Sequence, residues 1–173
     1  MNAELLVLRV VHITCGILWV GSFFFLNAYL LPVLATSGPA SAVVIPGLQA
    51  RKAFTVIPLL ALITILAGLR LLMRTSSNFS AAYFASTTGM AYTASAVAAV
   101  IGYAIAMLVV RPASMRGGAL AAQLAGLPSE ASGERERLTG ELGGVRRRAK
   151  SWGAYATVLL LLATVGMSVA RYL

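Results

Sequence analysis

Residues 53–73 read Ala53-Phe-Thr-Val-Ile-Pro-Leu-Leu-Ala-Leu-Ile-Thr-Ile-Leu-Ala-Gly-Leu-Arg-Leu-Leu-Met73, an apolar run whose only charge is Arg70. A bilayer core of about 30 Å is crossed by about 20 apolar residues in a helix, which satisfies its backbone polar groups internally. Three further stretches meet the same requirement, at roughly 5–34, 89–110 and 152–170. The predicted fold class is therefore all-α, an integral membrane four-helix bundle forming a single domain over 1–173. The first stretch exceeds the length of one crossing, so it must tilt or bend where Pro32 interrupts the helical ladder.

Composition agrees. The chain is 59% apolar and 11% charged, where soluble domains average about 25% charged residues. The net charge of +9, from 14 Lys+Arg against 5 Asp+Glu, lies mostly beside apolar spans. There it sets topology or meets anionic lipid, and without interleaved aromatic and basic residues it argues against nucleic acid. Cys15 is the sole cysteine, which excludes an intramolecular disulfide and a CxxCH haem attachment. The N-terminus lacks a positive n-region and the apolar run from Leu5 is too long for an h-region, so no cleaved signal peptide is expected.

Residues 36–50 read as a Gly/Pro/Ser loop leading to Arg51-Lys52, and 75–88 as a polar connection. The third and fourth spans are separated by a long loop, about 111–151. Within it Gly118–Gly126 has helical composition. Leu138, Leu142, Val145 and Ala149 then recur at i, i+4, i+7 and i+11, which predicts an amphipathic helix over 134–150 running into the fourth span. The two segments together predict a helical hairpin capping the bundle, with partners or lipid headgroups as its alternative role.

That loop carries Arg111, Arg116, Arg135, Arg137, Arg146, Arg147, Arg148 and Lys150, and Arg51 and Lys52 share its side, making ten of the 14 basic residues. The positive-inside rule places this loop in the cytoplasm and both termini outside, in the cytoplasmic (inner) membrane of a bacterium. Helices in lipid associate through small residues. The third span offers Ala94, Ala98, Gly102 and Ala106 at strict i+4 spacing, the second Thr64-xxx-Gly68, and the fourth Gly166-xxx-Ala170.

The first helix carries the candidate chemistry. At 100° per residue, Arg9, His12, Gly16, Trp19, Phe23 and Asn27 fall on one face. Ionisable groups inside a span are functional candidates by default, although Arg9, near the membrane end, could also snorkel. With four crossings, Arg9, His12, Arg70, Arg74 and Arg171 share one end of the bundle. An anion suits that end: a lipid phosphate, a haem propionate or a small carboxylate. Headgroup anchoring by the arginines is the plainer alternative.

The pattern His12-x3-Gly16-x2-Trp19-x-Gly21 resembles a bacterial superfamily of four-helix membrane domains. It includes copper-resistance-D-type proteins, the membrane domain of bacterial urate oxidases and HemJ-type protoporphyrinogen oxidases. Met107–Gly118, with its Arg-Pro, and the closing Ala-Arg-Tyr-Leu are similar to uncharacterised relatives. The resemblance implies the fold, and for haem-binding relatives a b-type haem, with His12 as iron ligand and Arg9, Trp19, Arg70 and Arg74 around it. The chain departs from that pattern in offering one histidine where two axial ligands are expected. It also has no Met-x-Met or His-x-His pair for copper. Three functions stay open at this point. One is a non-catalytic accessory subunit of a larger redox, respiratory or photosynthetic membrane assembly, partnered by lipids and by other subunits or a second copy. The others are a haem-linked oxidoreductase using His12, and copper or small-solute transport.

Overall fold

The computed structural model describes residues 3–37, 41–128 and 130–173. These residues form helices and no strands. Four of the helices are long and apolar enough to cross a membrane: α1 (Ala3–Thr36), α3 (Ala53–Thr75), α5 (Thr87–Gly126) and α6 (Ser132–Tyr172). Two short helices, α2 (Ser41–Ala50) and α4 (Ala81–Ala85), join them.

Pro32 and Pro112 do not break the long helices in which they lie. Residues 26–30 and 106–110 each form a π turn, in which the Leu31 N–H reaches the Leu26 carbonyl and the Arg111 N–H reaches that of Ala106. Pro32 and Pro112 follow directly. A proline within an α-helix lacks its N–H and pushes against the carbonyl one turn back, and the wider turn absorbs that mismatch so that the helix continues. The expected end of the third span at residue 110 is therefore not a helix end.

The reading of 36–50 as a loop is also corrected, since α2 occupies its last ten residues. Val44, Ile45 and Leu48 fall at i, i+1 and i+4 and are half-buried, giving this short helix an apolar side to pack. Lys52, at φ 59°, turns the chain from α2 into α3.

Packing is pairwise. α1 lies along α3 and α5 along α6; the pairs meet chiefly through α1 and α6, while α3 barely touches α5. The contact between pairs is centred on an apolar cluster of Trp19, Phe23, Ala61, Ala106, Ala156 and Leu160. Elsewhere large apolar side chains face outward, among them Ile17 at 67% and Leu162 at 60% exposure, as lipid-facing surfaces do. A second cluster, Leu120, Leu138 and Leu142 with Leu124, Leu127 and Val145, joins the far parts of α5 and α6 beyond the apolar spans. Arg116 pairs there with Glu141. Arg137 grips Glu134 through both carboxylate oxygens, at 2.8 and 2.6 Å, holding that carboxyl below its usual pKa.

The small residues work as slots for polar or branched side chains. The imidazole of His12 sits over Gly68, the amide of Asn27 over Gly153 and the hydroxyl of Ser95 over Gly166. The third span's packing face is Ser95, Gly102, Ala106 and Val110, all buried, whereas Ala94 is exposed. A strict i+4 stripe advances 40° further around the helix at each step than the 3.6-residue repeat. Over a long stretch it drifts off one neighbour. Gly102 and Ala106 of the expected stripe therefore lie on the buried face, but seven residues before Gly102 that face is held by Ser95, not by Ala94 or Ala98.

Between α3 and α4, Ser77, Asn78 and Phe79 hold φ of 52°, 60° and 63° in succession. L-residues in this left-handed region cost roughly 1–2 kcal/mol each. The buried Ser76 hydroxyl compensates in part by accepting the Phe79 N–H at 2.8 Å. Asn78→Gly should therefore raise stability in detergent by about 0.5–1 kcal/mol. Ser76→Ala should lower it by about 1–2 kcal/mol. Thermal melts of the two variants that move in the same direction would contradict this account of the turn.

Candidate functional site

The start of α1 lies against the end of α3. Glu4 takes Arg70 through Nε at 3.0 Å and Nη2 at 2.7 Å on one oxygen, and Arg74 at 2.9 Å on the other. A carboxylate between two guanidinium groups is well matched in shape and charge. All three side chains are more than a third exposed, so solvent screens the pairing and its stabilising effect is small. Glu4 was no part of the sequence-level site. Its signal was there: an acid in the first turn of one helix, at the membrane side where the next helix ends in two arginines.

His12 lies two turns deeper, about 12 Å along the helix from Glu4 at 1.5 Å per residue. Its Nδ1 is 2.8 Å from the Thr64 carbonyl oxygen on α3. A carbonyl only accepts, so Nδ1 carries the hydrogen, and in the neutral ring the lone pair is on Nε2. The Thr64 hydroxyl turns back to the Leu60 carbonyl at 2.8 Å. Gly68 makes the arrangement sterically feasible, since a Cβ there would lie 2.7 Å from the imidazole Cε1. One turn on, Gly16 meets the Thr64 methyl. The motif of the first helix thus reads physically as a close crossing, with glycines where the two backbones need room and one hydrogen bond across it.

Trp19 is another seven residues along. It is buried at 3% exposure and meets Tyr103 of α5 edge-on, with ring centroids 5.9 Å apart. Asn27 donates to the Phe23 carbonyl at 2.9 Å while its oxygen faces Gly153. The face expected on α1 is thus largely an inner one, with Trp19 and Phe23 buried and His12, Gly16 and Asn27 half-buried, but Arg9 is exposed. Of the five candidate residues, Arg70 and Arg74 come together on Glu4, whereas His12 and Trp19 occupy separate depths. Arg171 packs over Tyr172, 5.0 Å from the ring centroid.

Fold and site together define a multi-pass helical membrane protein. No protein-family model, curated protein or solved structure matches the chain.

Proposed function

We propose that this protein is a non-catalytic subunit of the bacterial cytoplasmic membrane, a four-helix bundle capped by the α5–α6 hairpin and accessory to a larger redox, respiratory or photosynthetic assembly. The observation that carries the reading is how its intramembrane polar groups are used. His12 bonds to a carbonyl of the facing helix, and Asn27, Thr64, Ser95, Thr157 and Thr164 each bond to the carbonyl one turn back in their own helix. These groups are thus spent on helix structure and packing rather than presented as reactive atoms. Purification in mild detergent at native expression is the test. The protein should migrate with stoichiometric partner polypeptides, and a monodisperse single chain without them would overturn the assignment.

Orientation follows the charge asymmetry, with the basic hairpin in the cytoplasm and both termini outside. In a Cys15→Ser background, Ser132→Cys should react with a membrane-impermeant maleimide only after the cells are opened. Labelling of intact cells would reverse the topology.

A second reading has one observation in its favour. The bond from Nδ1 to Thr64 fixes the His12 tautomer with Nε2 as the base, the arrangement that orients histidine toward a metal. The residues fit a b-type haem in part. Each chain offers one imidazole, so His12 would hold the group with the same residue of a second copy or with a non-histidine partner. Glu4 already occupies the guanidinium groups of Arg70 and Arg74 that would meet the propionates. If haem binds, it supplies one-electron chemistry, and His12 holds it.

A further inference from the structure

The basic residues of the α5–α6 hairpin are not spread evenly. Arg111, Arg116, Arg146, Arg147, Arg148 and Lys150 crowd the end next to the apolar spans, against one acid, Glu141. The tip carries Glu130, Glu134 and Glu136 against Arg135 and Arg137. A solvated helical hairpin has no need of such a gradient, whereas a hairpin standing on an anionic surface does. The opposite end of the molecule differs, because Glu4 sits between its Arg70 and Arg74.

At this basic end α5 and α6 leave a cleft of about 220 Å³. Its apolar wall is Leu108, Pro112 and Ala113 of α5 and Val145 of α6, and Arg116 and Arg148 flank it. Leu108 belongs to the π turn and is 76% exposed, so the apolar wall opens directly onto the surface of the span. Arg116 is engaged with Glu141. Among the described residues Arg148 has no carboxylate within ion-pair range, and it is exposed.

We propose that this cleft binds the headgroup of an anionic phospholipid, with the phosphodiester on Arg148, beside the Arg116–Glu141 pair, and the first acyl carbons on Leu108 and Pro112. The proposal rests on the reading of 89–110 and 152–170 as membrane-crossing. Two features of the cleft must be met at once: a guanidinium suited to phosphate oxygens and an apolar wall continuous with the lipid-facing surface. A phospholipid carries both groups on one molecule. A free phosphate or an acidic peptide satisfies only the charge.

The test is native mass spectrometry of the full chain in neutral detergent, titrated with phosphatidylglycerol or phosphatidylcholine. Phosphatidylglycerol should bind more tightly. Arg148→Gln should weaken it about fivefold, the effect of one basic residue at an anionic surface. Arg148→Lys should lose less, and Arg171→Gln, at the other end, should leave binding unchanged. Equal affinity for the two lipids, or equal losses in Arg148→Gln and Arg171→Gln, would overturn the site. Displacement of the lipid by millimolar inorganic phosphate, or by an acidic peptide, would also overturn it by showing that charge alone is read. A chain that still requires detergent but binds neither lipid sinks this proposal and leaves the membrane assignment standing. A chain soluble without detergent sinks that assignment instead.

Discussion

Gly102→Leu is expected to lower the melting temperature of the detergent-solubilised protein by about 5–10 °C, from overpacking of a few kcal/mol in a chain of this size. A Cβ at Gly102 would lie 3.1 Å from both Cγ and Cδ2 of Leu160 and 3.4 Å from the Ala156 carbonyl oxygen. Leu160 is itself 1% exposed and part of the central cluster, so it has nowhere to move. The three further carbons of a leucine side chain would have to push α5 away from α6. Helix pairs in lipid gain little from the hydrophobic effect and depend on close contact, so separation forfeits much of what joins them. Gly102→Ala asks Leu160 to yield only a few tenths of an ångström and should cost far less. Gly118 provides the contrast. Nothing approaches within 4 Å of a Cβ there, so Gly118→Leu should leave the melt unchanged or raise it through better helix propensity. Equal melts for Gly102→Leu and wild type would mean that this face looks at lipid.

The four spans were legible because hydropathy over 20 residues is a property of local sequence alone. What lies between them was less so. Proline reads as a helix stop on average, and nothing local announces that a π turn will carry α5 past Pro112 to Gly126. Residues 36–50 look like a loop from Gly38, Pro39, Pro46 and Gly47, and the half-buried trio Val44, Ile45 and Leu48 matters only once α3 is there to receive it. Pairings between helices were the least accessible. A helical wheel places His12, Trp19 and Asn27 on one face, but the partners of that face, Thr64 with Gly68, Tyr103 and Gly153, come from three different helices. The acid on Arg70 and Arg74 was equally hidden, because Glu4 is 66 residues away from Arg70 in the chain.

His12 supports the sharpest discrimination, and His12→Asn is the variant that makes it. Asparagine places its amide N–H close to where histidine has Nδ1, so it can keep the bond to the Thr64 carbonyl, but it has no counterpart to Nε2. If His12 is a packing group, His12→Ala should lower stability by about 2–3 kcal/mol, combining a lost hydrogen bond with a void over Gly68. His12→Asn should recover more than half of that. Wild-type protein from haem-replete cells should then be colourless. If His12 holds haem, the wild type shows a Soret band, and both variants lose it whatever their stability, since neither retains the ligating nitrogen. The subunit reading expects the first pattern. A Soret band in the wild type that vanishes in a stably folded His12→Asn would overturn it. Heat alone would not separate these cases, because losing a ligand and losing a contact both lower a melt. Asparagine separates them by keeping one nitrogen of the ring and removing the other.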